Sequence, residues 1–412
     1  MKRNMMRFFS VLLLFAFMII GCSRKAERNT SSDKVAEVEK SEVVPIINVF
    51  LENSGSMDGY VEGVTEFEQS IYSLLSDIRI SKVSDSLNLF YINSNIIPQG
   101  SDVESFINNL DSKSFRDKGG NRSSSDFSDV LKKVLEETSK NEVSIFISDC
   151  IFSPGKDSNA AEYLINQQIG IKNAFASALQ INSRMSVVVL QLNSKFKGSY
   201  YNINDEPVDF DGERPFYIWF MGSHKYLKNI FSKVNIGKLK GGSVQNIFVQ
   251  IPEIEKLKYG LLRYPKKGNF TQVDYNTIED AKYNAATGGF MFAVGVDFSD
   301  VLLGDKYLLD LDNYEVSDKG YRIDVSKQRE GKYTHNILFS TDRKIIPMSV
   351  IRVVLKNEFP KWVESSNDDV GVDIQSKDSQ GKTFGLKYLL GGVYDAYEQD
   401  GCFMKFKINV KS

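Results

Sequence analysis

Five short apolar runs punctuate the first half of the chain, at 46–51, 87–92, 143–147, 185–192 and 215–221. Each is five to eight residues long and bounded by polar or turn-forming residues, the pattern of a strand buried on both faces. Apolar residues at helical spacing fill the intervals: first Val64, Phe67, Ile71, Leu74, Leu75 and Ile78, then a short helix over 102–110 that Ser101 or Asp102 caps. Phe127, Val130, Leu131, Val134 and Leu135 predict a helix starting at Asp126 with Ser125 as its N-cap, and 163–179 and 224–234 predict two more. Strands alternating with helices predict an α/β fold with a doubly wound, mostly parallel sheet. The polar stretch 194–214 reads as an excursion or a hairpin. Past Gly241-Gly242 the pattern changes to short strand-like runs at 245–251, 289–298, 307–311, 321–325, 334–340 and 347–356, with one helix on Leu386, Leu389, Leu390, Val393, Tyr394 and Tyr397 and a last strand at 403–410. The expectation is one α/β domain over 44–235 and a mostly β, sandwich-like domain over 243–412.

The N-terminus is patterned differently. Lys2, Arg3 and Arg7 precede an apolar run from Phe8 to Ile20, which ends in Gly21-Cys22. The run is short for a membrane span and fits a secretory signal over 1–21. Ile19-Ile20-Gly21-Cys22 resembles the lipobox of bacterial lipoproteins, which implies lipid attachment at Cys22. Residues 22–43 are polar and lack aromatics, as a flexible tether does. The chain is therefore expected in a bacterial cell envelope, lipid-anchored and extracytoplasmic, on the inner or the outer membrane.

Composition adds bounds more than identity. The chain has 412 residues, 42% apolar and 25% charged, with a formal net charge of −2. Without the three basic residues of the leader, 48 basic residues face 53 acidic ones, so nothing points to nucleic acid. Of three cysteines, Cys150 and Cys402 remain after Cys22; they could form a bridge or be two buried thiols. The only histidines, His224 and His335, lie in no zinc-ligand spacing, and a surface or capping place is expected of each. No Gly-x-Ser-x-Gly elbow, Walker loop or dinucleotide fingerprint occurs.

Candidate chemistry gathers at strand ends. The first run ends in Glu52-Asn53-Ser54-Gly55-Ser56, a Gly119-Gly120 loop leads through Ser123, Ser124 and Ser125 to Asp126-Phe127, and the third run ends in Ser148-Asp149. Carboxylates and hydroxyls are ligands for a hard cation such as Mg²⁺, and the carboxyl end of an open α/β sheet is where ligands bind. These three stretches resemble, in order and spacing, the metal-ion-dependent adhesion site of von Willebrand factor A (VWA) domains. There the first motif is Asp-x-Ser-x-Ser, the second ends in Thr-Asp-Phe, and the third is an aspartate after the fourth strand. Ser54 and Ser56 match the serines, Ser125 replaces the threonine (Ser123 and Ser124 are alternative registers), and Asp149 matches the aspartate. Glu52 departs from the pattern by one methylene.

The resemblance covers about residues 44–235. It implies a Mg²⁺ site, or one for Ca²⁺ or Mn²⁺, made by Glu52, Ser54, Ser56, Ser125 and Asp149. It also implies a binding module rather than an enzyme, engaging a protein ligand through an acidic side chain on the metal. A structural assembly subunit with a degenerate, metal-free VWA fold is the alternative, and a metal-dependent hydrolase a more distant one. Lys118 and Arg122 stand near the site, where they would steer an acidic ligand or simply be solvated.

Overall fold

The structure, a computed structural model, describes residues 44–411 apart from 123–125, 157, 255, 287, 372 and 398–400. The expected lipid attachment at Cys22 and the metal ligand Ser125 lie outside the described residues. Residues from Val44 onward make one compact unit.

Its centre is a seven-stranded sheet of β1 (Ile46–Glu52), β2 (Ser86–Ile92), β3 (Ile96–Gly100), β4 (Glu142–Ser148), β5 (Met185–Tyr201), β6 (Pro207–Ser223) and β7 (Asn246–Gln250), in the order β3-β2-β1-β4-β6-β5-β7. Strand β1 lies parallel to both β2 and β4. Every other pairing in the sheet is antiparallel. The fold is thus α/β with a mixed sheet, which corrects the expectation of a mostly parallel one. The cause is the stretch 194–214. Instead of leaving the sheet it continues β5 and β6 as two 17-residue strands joined by a short turn. A turn that short can only join antiparallel neighbours, so β6 occupies the place between β4 and β5.

Helices cover both faces. On one side α1 (Glu66–Ile80) and α6 (His224–Lys233) pack against Ile47, Val49 and Leu51 of β1 and Ile145 and Ile147 of β4. On the other, α4 (Phe127–Glu136), α5 (Ala160–Ile181) and α7 (Leu386–Ala396) enclose Phe50, Phe146 and Trp219. On the α1 side as well, α2 (Val103–Asn108) and α3 (Ser112–Arg116) follow β3. The caps follow side-chain chemistry. Thr65 makes a capping box with Glu68 at the start of α1. For α4 the N-cap is Asp126, not Ser125, because the Asp126 carboxylate accepts from the Asp129 amide.

The second part is strand-rich. A four-stranded antiparallel sheet (Tyr259–Lys267, Phe290–Val296, His335–Thr341, Arg322–Lys327) and a five-stranded sheet (Asn269–Gln272, Thr277–Lys282, Cys402–Val410, Ser349–Lys356, Tyr314–Val316) share one core. Tyr259 meets Phe406 across it at 4.8 Å between ring centroids. Two expectations change here. The run 307–311 falls in a helical turn, Asp305–Leu308, and a 3-10 turn, Leu311–Asn313. The run 245–251 forms β7 and extends the large sheet, pairing with β5. Cys150 is buried and Cys402 half-buried, and no disulfide joins them.

Candidate functional site

Parallel pairing brings two motif ends together. Leu51 pairs with Ile147, so Glu52 and Ser148 leave β1 and β4 side by side, and the Ser148 hydroxyl donates to the Glu52 carboxylate. Both residues are buried, as is Asp149. The backbone turns sharply here, with Cys150 in the left-handed region at φ +58° and its N–H donating to Ser148 Oγ at 2.8 Å. A non-glycine residue held there carries strain of about 1–3 kcal/mol. Asp149 Oδ1 accepts from the Ile151 amide at 3.2 Å, whereas Oδ2 is buried without a hydrogen-bond partner among the described residues. Burial, and then the charge of Glu52, push the Asp149 carboxyl up to about 7, with the Ile151 amide, the Ser56 hydroxyl and Arg214 opposing more weakly.

The first motif folds into a 3-10 helix, Gly55–Val61, directly after β1. Ser54 occupies its N-cap without making a side-chain cap. Its hydroxyl instead lies 3.0 Å from that of Ser56. Met57, on the buried side of this turn, accepts the Asp149 N–H at its sulfur, 3.3 Å away. Glu52, Ser54, Ser56 and Asp149 are therefore drawn to one corner of the sheet by these contacts.

The second loop is tied to the first by residues outside the matched pattern. Arg122 donates through Nε to the Asn53 carbonyl at 2.6 Å and through Nη2 to the Ser54 carbonyl at 3.2 Å, and its Nη2 also pairs with Asp58. Gly55 N–H donates to the Arg122 carbonyl at 3.0 Å. Asn93, at the end of β2, donates to Asn53 Oδ1 and to the Gly119 carbonyl, both at 2.9 Å. Gly120 is needed beside it: its φ is +78°, and a Cβ there would sit 2.0 Å from Asn93 Oδ1. The Arg122 charge is thus spent inside the site rather than left to solvent.

The β5–β6 hairpin forms a wall over this corner. Tyr60 donates to the Pro215 carbonyl at 2.6 Å, and Phe196 packs so closely on Gly59 that a Cβ there would lie 2.5 Å from the ring. Arg214, at the base of the hairpin, is 1% exposed. Its Nη1 donates to the carbonyls of Ser379, Gln380 and Lys382 at 3.3, 3.1 and 2.9 Å, and its guanidinium lies 4.9 Å from the Tyr200 ring. Nη2 has no hydrogen-bond partner, and no carboxylate lies within ion-pair distance among the described residues. Its charge still reaches Asp149.

Of the residues gathered at this corner, the sequence pointed to Glu52, Ser54, Ser56 and Asp149 and gave no sign of Asn53, Asp58, Asn93 and Arg214. Asn and Arg in loops carry no spacing signature, and Arg214 is distant in sequence from every motif. The histidines are corrected: both are buried, His224 with Nδ1 2.8 Å from Ser186 Oγ and His335 with Nδ1 3.0 Å from Thr334 Oγ1. Among the described residues no group of three or more His, Cys, Asp or Glu side chains is placed to hold a metal ion. Any cation here would depend on hydroxyls as well as carboxylates. Comparison of the chain with protein-family models, with curated proteins and with solved structures gives no match.

Proposed function

We propose that this chain is a VWA-like binding module, lipid-tethered through Cys22 to a bacterial membrane and facing away from the cytoplasm, that engages a protein ligand. One observation carries the reading. A pair of hydroxyls, Ser54 and Ser56, stands beside a buried aspartate whose Oδ2 lacks a partner among the described residues, at the carboxyl end of adjacent parallel strands. The donor set is oxygen only and fits a hard cation. Ser54, Ser56 and Asp149 would hold it, Glu52 would lie behind through Ser148, and Ser125 is the ligand the resemblance adds. Mg²⁺, Ca²⁺ or Mn²⁺ bound there would offer a coordination place to an acidic side chain of the partner. The parallel β2-β1-β4 core and the two helix layers support the VWA-like reading, and the antiparallel β6 between β4 and β5 departs from it.

A second reading is favoured by Arg214. A buried guanidinium whose charge reaches Asp149 supplies positive charge where the first reading puts a metal. On that reading the chain is an envelope assembly subunit whose VWA-like fold needs no ion. Capture of partners from envelope extracts separates the two. The binding-module reading expects a partner retained with Mg²⁺, released by chelator, and lost in Ser54→Ala and Ser56→Ala variants. A partner retained equally under chelation, and by both variants, would move the weight to the assembly subunit.

A further inference from the structure

Away from this corner, α7 and α5 frame an open cavity of about 330 Å³, with Phe359, Tyr388 and Tyr394 on its walls and Gly391 on its floor. That volume is at the lower end of the range for ligand sites. The two glycines of α7 differ in what they do. At Gly392 a Cβ would come 2.7 Å from the Gln168 carbonyl and 2.9 Å from Ile171 Cβ, so close helix packing requires glycine. At Gly391 a Cβ would meet only the flexible end of Gln168, at 3.2 Å. A glycine inside a helix costs about 1 kcal/mol relative to alanine. Packing does not offset that cost at Gly391.

The walls are held in place. Tyr394 donates to the Asn357 carbonyl at 2.9 Å, and its ring meets Phe359 edge-on at 5.5 Å. The charges are unequal. Lys387 is taken up by Asp369 at 2.8 Å. Asp395 accepts from Gln168 at 3.0 Å, a neutral donor, and the Glu364 carboxylate makes no hydrogen bond or ion pair among the described residues, only its backbone carbonyl accepting from Ser366. Lys387 feels Glu364 only as a weaker, more distant charge. The Lys387 ammonium already lies 5.2 Å from the centroid of the Tyr388 ring, which leaves Phe359 and the carboxylates of Glu364 and Asp395 to attract a further cation, a planar guanidinium best of all.

We infer that this cavity is a second binding site, which takes an arginine side chain of a partner protein against Phe359, with its charge met by Glu364 and Asp395. The inference stands apart from the metal-site reading and survives its failure. The test is calorimetric titration of the detergent-purified full-length chain, at low salt, with N-acetyl-arginine amide and with its neutral isostere N-acetyl-citrulline amide. Saturable binding of the arginine probe, at least tenfold tighter than the citrulline probe, is expected. A Glu364→Gln/Asp395→Asn double variant, which keeps the cavity, should lose that preference. Gly391→Leu should abolish binding while leaving the melting temperature unchanged or higher. Equal affinity for the two probes, no saturable binding of arginine, or unaltered preference in the charge variant overturns the assignment. The charge variant decides even where Gly391→Leu fails to fold.

Discussion

Arg122 Nε lies 2.6 Å from the Asn53 carbonyl, a bond that fastens the loop before α4 to the end of β1. With the Nη2 bond to Ser54 and the pair to Asp58, one guanidinium organises the backbone on which both candidate serines stand. Hydrogen bonds from a charged donor contribute about 1.5–3 kcal/mol net. Arg122→Ala is therefore expected to lower unfolding stability by about 2 kcal/mol in urea titration. Arg122→Lys should recover little, because an ammonium cannot span two carbonyls and a carboxylate in one plane. A lysine variant as stable as wild type would show that only the charge matters.

Gly59 predicts a steric effect of a different kind. A Cβ at this position would lie 2.5 Å from Phe196, whose ring also packs edge-on against Tyr60 at 5.0 Å. Gly59→Ala should cost about 1–3 kcal/mol by overpacking. Gly237→Ala is the control, since nothing lies within 4 Å of a Cβ there. Equal melting temperatures for the two variants would mean that the hairpin is free to move off the 3-10 turn.

The sequence was most legible where burial and periodicity coincide. Strands β1, β2 and β4 read correctly because each is a short apolar run, and α5 because its pattern repeats over many turns. Neither signal reports strand direction. The apolar run 215–221 looks the same in a parallel or an antiparallel strand, so the place of β6 was hidden in how 194–214 folds. That stretch alternates buried and exposed residues, yet its glycines and charges resemble a loop. The candidate site was legible to the extent that its side chains follow strand ends. Arg214 lies inside β6 and was not, and Asn93, though it follows β2, is an amide whose partners, Asn53 and the Gly119 carbonyl, are brought close only by the fold.

Glu68 carries a pH dependence that can be checked alone. Burial, opposed by the Thr65 amide and reinforced by Asp111, raises its carboxyl to about 7. The folded chain then binds a proton between pH 4.5 and 7 that the unfolded chain releases. By linkage, stability falls as pH rises through that window, and the cost is complete above it. Glutamine preserves the capping box and removes the charge. Glu68→Gln should raise the melting temperature at pH 8 and leave it nearly unchanged at pH 4. An equal shift at both pH values would mean that the carboxyl titrates in its ordinary range.

Cys22→Ala tests the tether. One acyl chain anchors weakly and several hold firmly, so on the proposed reading the lipid anchor depends on the acceptor sulfur of Cys22. Metabolic labelling with a fatty acid should vanish and an unprocessed precursor accumulate. Labelling that persists in the variant would place the attachment elsewhere.

Asp149 and Arg214 decide between the two functional readings. Both are buried, each has one polar atom without a partner among the described residues, and the charge of Arg214 acts on Asp149. A divalent cation beside Asp149 would be opposed by the guanidinium, so on the metal reading Arg214→Met should tighten Mg²⁺ binding. The same change removes three bonds to the carbonyls at 379–382 and should cost stability of about 3 kcal/mol without metal. Ligand binding to the folded state alone raises the melting temperature. Millimolar Mg²⁺ is therefore expected to raise it in wild type and to raise it further in Arg214→Met. Asp149→Asn should erase both shifts while keeping the bond from the Ile151 amide. If Mg²⁺, Mn²⁺ and Ca²⁺ leave wild type and Arg214→Met alike unmoved, Arg214 is the resident cation of this corner, and the envelope-assembly reading replaces the metal-dependent one.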